Sequence, residues 1–129
     1  MQLDWQPAAG RRAEQAVRRG IDDETMRRFL EATVAGAFAV PVGELGRPTR
    51  CRAPVAFGRQ VAMYLAHVAL GLTLTDVGRL FGRDRTTAAH ACRVVEDRRD
   101  DPATDARLST VELAVAAWVG LMDGLPERR

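Results

Sequence analysis

A chain of 129 residues suits one domain with a single modest core and leaves little room for a second. With 47% apolar and 28% charged residues the composition is ordinary for a soluble globular protein, and the longest mostly apolar stretch, residues 111–122, is too short and too polar to span a bilayer. The formal net charge is only +2, so bulk charge does not announce a nucleic-acid partner.

The distribution of charge says more than its total. All 19 basic residues are Arg. A GC-rich genome accounts for that, and so does selection for the guanidinium fork that suits phosphate and guanine. Residues 47–99 hold ten Arg against four acids, a net +6, while the rest of the chain carries −4. The middle of the chain is therefore its electropositive part. Two Cys, Cys51 and Cys92, lack the spacing of a zinc site. The first fifteen residues lack the apolar run of a secretory signal, so a reducing cytoplasmic location is expected.

In chain order, residues 1–20 contain Pro7, Gly10, Gly20 and two Arg pairs without a long apolar period, and read as a loose tail. Trp5 is out of place there and would dock on the domain or on a partner. Asp22 opens the first clear helix as N-cap, with Asp23 and Glu24 in its first turn. Met26, Phe29, Leu30, Thr33, Val34, Ala37 and Phe38 follow at helical spacing, and Pro41 ends the pattern. A short turn over residues 42–45 leads into residues 46–54, a basic extended connection punctuated by two Pro. The second helix is expected over residues 55–70, with Val61, Tyr64, Leu65 and Val68 facing inward and Gly71 as C-cap.

The third helix begins near Thr75, capped by Thr73 or Thr75, with Leu74, Val77, Leu80 and Phe81 inward. Gly82 permits a sharp turn. Asp84 caps a fourth helix that runs to about Arg98, with Ala88, Ala91, Val94 and Val95 inward, and Pro102 follows its stop. The last helix covers residues 104–122. Its stripe of Leu108, Val111, Val115, Trp118, Val119 and Met122 serves as core or as a dimer seam. No strand pattern and no internal repeat is visible. The expected fold is all-α, a compact bundle of about five or six helices. It forms one domain over residues 21–124, with tails at 1–20 and 125–129. The oligomeric state stays open at this point.

Two short helices joined by a Gly-containing turn make a helix-turn-helix candidate. Ala88, Ala89 and Ala91 let the fourth helix pack closely on the third. The polar run Arg83-Asp84-Arg85-Thr86-Thr87 then stands where base edges would be. Arg can bond guanine O6 and N7, Asp can accept from cytosine N4, and a Thr methyl can meet the thymine methyl. The plainer alternative is a helical hairpin whose first turn is merely capped by Asp84.

The stretch Gly82-Arg-Asp-Arg-Thr-Thr-Ala-Ala-His-Ala-Cys-Arg93, with Arg59-Gln60 and Leu74-Thr75 upstream, resembles the C-terminal DNA-binding domain of the DnaA family of bacterial replication initiators. That family's pattern runs close to Gly-Arg-Asp-His-Thr-Thr-x-x-His-Ala. The segment from Val34 to Leu45 is similar to its linking helix and turn. The resemblance covers about residues 25–100 and implies a Trp-repressor-like helix-turn-helix. It implies that Arg50 and Arg52 form a minor-groove arm, although this chain has about one extra residue between the arm and Arg59. Arg59 and Gln60 inherit phosphate contacts, Asp84, Arg85 and Thr86 base contacts in the major groove, and Thr87 and His90 further phosphate contacts. Leu74 and Thr75 match the Leu-Pro pair that meets a thymine methyl and nearby backbone. His67 stands where the family often has a basic phosphate contact, and either does that work or is simply exposed.

Three departures stand out: Arg85 replaces His, Thr75 replaces Pro, and Gly58 replaces the Pro before Arg59-Gln60. A mismatched base contact costs ~1–3 kcal/mol, enough to change which site wins. No GxxxxGK[ST] occurs, so the chain is expected to be a stand-alone binding domain rather than an ATPase. No catalytic arrangement, metal site or cofactor motif is visible, and no enzyme is expected. The expected activity is sequence-selective binding of double-stranded DNA, in transcriptional regulation or in modulating replication initiation. The alternative is a protein–protein interaction module that keeps the fold without binding DNA.

Overall fold

The computed structural model describes residues 21–45 and 53–124. Arg50, Cys51 and Arg52, the tail at 1–20 with Trp5, and the tail at 125–129 lie outside the described residues. The described chain forms helices and connections only: α1 (Asp23–Phe38), α2 (Val42–Leu45), α3 (Ala53–Val68), α4 (Leu74–Leu80), α5 (Arg85–Arg98) and α6 (Pro102–Asp123). No helix among these residues is long and apolar enough to cross a membrane.

Four of the helix starts share one device. Asp22, Thr73, Asp84 and Asp101 each sit in extended backbone and accept a hydrogen bond from the N–H three residues on, which satisfies one orphan donor per helix. The C-terminus of α1 falls three residues before Pro41. A residue preceding Pro is disfavoured in the helical region, so the chain must leave the helix earlier. Ala39 does this by adopting the left-handed conformation (φ 55°, ψ 44°) that normally favours Gly.

Boundaries differ from the sequence reading where proline is involved. The sequence puts Pro54 in the connection, yet α3 starts at Ala53 and includes it. In a first turn, proline's missing N–H costs nothing. For the same reason Pro102 opens α6 instead of merely following the stop of α5. Residues 42–45, expected as a turn, close into one helical turn whose last carbonyls are used. Arg59 of α3 donates Nε–H to the Leu45 carbonyl and an Nη2 hydrogen to the Glu44 carbonyl, both at 2.9 Å.

The core is built around α3, nine of whose sixteen residues are buried. It packs against α5 on one side and α1 on another, while α4 lies on α5 and α6 runs across α1. Leu30, Val34, Val61, Leu65, Val77, Ala88, Val95, Leu108 and Val115 are fully buried at the shared centre. Burying a Leu or Val stabilises by roughly 1.5–3 kcal/mol. The α6 stripe faces this core: Leu108, Val111, Val115 and Val119 are buried, and Trp118 stacks on Phe29 with ring centroids 4.3 Å apart. The stripe is therefore core, and the alternative of a dimer seam on that face does not hold.

A second tie was not foreseen from the sequence. Arg99, the C-cap of α5, donates to Asp105 (2.6 Å), Tyr64 (3.1 Å), Glu112 (3.2 Å) and Ser109 (3.1 Å). One guanidinium thus joins the C-cap of α5 to Tyr64 of α3 and to the first half of α6. Burial alone would lower the Arg99 pKa, but the bonds to Asp105 and Tyr64 outweigh it and raise it overall.

The α4–α5 junction is set by two glycines. Gly82 takes φ 67°, which turns the chain back. Gly78 lets that returning backbone press on α4. A Cβ at residue 78 would lie 2.8 Å from the Arg83 carbonyl oxygen and 2.9 Å from that of Asp84. The contact is sealed by the Arg83 N–H, which donates to the Gly78 carbonyl at 2.7 Å.

Two substitutions test this backbone account in opposite directions. Gly78→Ala is expected to cost about 1–3 kcal/mol by forcing the turn off α4. That is a fall of several degrees in the thermal midpoint of a domain this size. Ala39→Gly, at the strained left-handed position, is expected to leave the midpoint unchanged or raise it. Calorimetry or circular dichroism melts of the two variants read both.

Candidate nucleic-acid interface

The first turn of α5 is presented to solvent by the junction just described. Asp84 sits in extended backbone (φ −93°, ψ 172°) and accepts the Thr87 N–H at 2.8 Å. Hydrogen bonds from the Thr87 backbone and side chain hold its carboxyl below the usual carboxylate range. Asp84 therefore caps the helix through Oδ1 while the residue itself remains exposed. Arg85 and Thr86 are exposed, and Thr87 is half-buried against the turn.

Further along α5 the two faces diverge. Ala88 and Ala91 are buried, as expected from their size, and Cys92 is buried beside them. Burial, then Glu96, pushes the Cys92 thiol up to about 11. It stays a neutral thiol and packs as a small apolar group. Thr86, His90 and Arg93, at i, i+4 and i+7, are all exposed and share the outer face. Arg93 on this face was not singled out from the sequence, although its spacing from Thr86 carried the signal.

The start of α4 supplies the neighbouring surface. Thr73 caps the helix, Leu74 is half-buried against the core, and Thr75 is exposed. Since α4 packs on α5, the expected α4 and α5 residues fall on one helix pair. The residues expected on α3 are placed differently. Gln60 is half-buried. Arg59 turns to the carbonyls that end α2, a structural task that the sequence did not disclose. His67 is half-buried, not simply exposed, and its Nδ1 lies 2.7 Å from the Leu72 carbonyl. A carbonyl only accepts, so Nδ1 carries the hydrogen and Nε2 is the ring nitrogen left for another partner. His67 thereby fastens the end of α3 to the loop that launches α4.

A family model for the bacterial dnaA protein helix-turn-helix matches residues 29–95. The chain is 36% identical over 121 residues to the chromosomal replication initiator protein DnaA of Thermomicrobium roseum, an alignment covering 90% of this chain and 25% of that protein. It is 40% identical over 84 residues to the DnaA of Nitrosomonas eutropha, covering 64% of this chain and 18% of that one. It is 31% identical over 99 residues to the DnaA of Bifidobacterium animalis subsp. lactis, covering 67% and 17%. The chain thus spans a quarter or less of the length of these curated relatives. With a match that includes α3, α4, the glycine-set turn and nearly all of α5, the chain belongs to the bacterial DnaA helix-turn-helix family.

Proposed function

We propose that this chain binds double-stranded DNA sequence-selectively through α4, the turn and α5, as a binding protein without catalysis or cofactor. The observation that carries the reading is the first turn of α5. It is capped by Asp84, carries exposed Arg85 and Thr86, and is held out by a turn whose backbone rests on Gly78. In this reading the turn enters the major groove, where Arg85 takes a guanine edge, Thr86 a thymine methyl, and the outer oxygen of Asp84 a cytosine N4. Leu74 and Thr75 meet the adjacent base methyl and backbone from the head of α4.

Phosphates on either side of the groove are met by Gln60, Thr87 and His90. Arg59 and His67 join them from α3 in addition to their tasks within the fold. Family likeness adds Arg50 and Arg52 in the minor groove. The biological setting we propose is transcriptional regulation or the modulation of replication initiation, since the relatives are named as replication initiators. Arg85 stands where the family pattern has His, so the preferred site differs from the family's at the base this side chain reads.

Fluorescence anisotropy with an initiator-box duplex, its scrambled version and a duplex from the protein's own promoter tests this at two salt concentrations. The box or promoter is expected to win over the scramble. Arg85→Ala is expected to lose about 1–3 kcal/mol on the preferred duplex and to relax specificity at one base. Arg85→His is expected to move preference towards the initiator box. Equal, steeply salt-dependent binding of all three would reduce the reading to non-specific phosphate binding. No binding at low salt would sink it and leave a protein partner as the better account.

A further inference from the structure

Beyond its first turn, α5 with its C-cap carries three Arg, and the fold uses two of them. The Arg98 guanidinium lies over the Phe57 ring, 4.4 Å from its centroid, and Arg99 ties α5 to α3 and α6. Arg93 is exposed and makes no hydrogen bond or ion pair among the described residues. Asp97, one turn further along the same face, is not paired with it. An Arg that precedes the acid by four residues is in the poorer order for pairing along a helix.

The outer stripe of α5 changes sign along its length. Thr86, His90, Arg93 and Asp97 follow at i, i+4, i+7 and i+11, and all are exposed, so they stand in one line along the helix. Up to Arg93 the line is neutral or basic. From Asp97 it is acidic, with Glu96 exposed beside it and Asp100 just past the helix end. At a rise of about 1.5 Å per residue, Arg93 stands roughly 10 Å from Thr86 along the axis, and Asp97 roughly 16 Å. The major groove is about 12 Å wide. With Thr86 at a base edge, Arg93 therefore comes to the rim of the groove, where the phosphates stand, and Asp97 falls outside it.

We propose that Arg93 holds a backbone phosphate at the rim of the major groove, and that Asp97 and Glu96 close the footprint of α5 beyond it. The inference rests on the DNA reading and adds to it the residues that set how α5 enters. A cation at the rim, with acids one turn further on, favours entry by the N-terminal end of the helix. Laid flat along the groove, α5 would bring Asp97 among phosphates, where like charges repel. A phosphate contact of this kind fixes register and orientation and carries no base information of its own.

The test uses the full chain and three variants: Arg93→Gln, Asp97→Arg, and Arg107→Gln as a charge-matched control that removes an exposed Arg from α6. Binding is measured on the preferred duplex and on its scrambled version over a range of salt concentrations. Arg93→Gln is expected to lower the log–log salt slope by about 1 relative to Arg107→Gln, and to weaken both duplexes by the same factor. Asp97→Arg is expected to tighten both duplexes at low salt, with the gain fading as salt rises. Both positions are exposed, so the melting midpoints are expected to stay close to that of the parent chain.

If Arg93→Gln keeps the slope of Arg107→Gln while the parent chain still prefers its duplex, the inference is overturned and the DNA reading stands. A loss of preference with an unchanged slope overturns it as well, because Arg93 would then read a base. An Asp97→Arg variant that binds no tighter at low salt overturns the acidic limit of the footprint. If the parent chain binds no duplex at low salt, the DNA reading itself fails and the inference falls with it.

Discussion

The turn before α5 rests directly on the α-carbon of Gly78, with no room for a side chain between. That contact, sealed by the Arg83 N–H on the Gly78 carbonyl, fixes the backbone that leads into α5. The other end of α5 is held by Arg99, whose guanidinium reaches Tyr64 of α3 and Asp105, Ser109 and Glu112 of α6. A helix clamped at both ends keeps its outer face in one orientation, and that face carries Arg85, Thr86, His90 and Arg93. Such preorganisation matters for recognition, because ordering costs met in folding need not be met again on binding.

Much of this was legible in the residues. Asp22 and Asp84 announce themselves as N-caps, Thr73 is one of two candidates for the third, and Gly82 announces a sharp turn, whereas the Asp101 cap is not read because the last helix is expected only from residue 104. The core faces of α4 and α5 followed from 3–4 spacing. Less legible was anything that depends on long-range geometry. Nothing local tells that Gly78 lies under the turn, that Arg59 would end α2, or that Arg99 would serve three helices. Arginine looks the same in sequence whether it faces phosphate or a backbone carbonyl. The α6 stripe illustrates the converse limit: its period marked an apolar face, and only the stacking of Trp118 on Phe29 tells which neighbour covers it.

The same ambiguity bears on how a recognition surface is built in so small a domain. Asp84 spends one carboxylate oxygen on the helix cap, and His67 spends Nδ1 on the Leu72 carbonyl. Both side chains therefore meet any partner already oriented, with a single atom each to offer. Arg85, by contrast, projects from the first turn with its long stem exposed, and guanine offers its fork two acceptors. On the proposed reading, Arg in place of the family's His at this position changes what an exposed residue of the turn asks of a base pair.

The central claim is that the α4–α5 pair reads the bases of the duplex, and that the exposed side of α6 does not meet it. The most direct measurement is amide NMR mapping of the full chain on adding a short duplex. The account requires the largest perturbations at Leu74 and Thr75 and from Arg83 to His90, with little change along the exposed side of α6 around Leu113 and Leu121. Perturbations centred on α6, with the first turn of α5 unmoved, would contradict it.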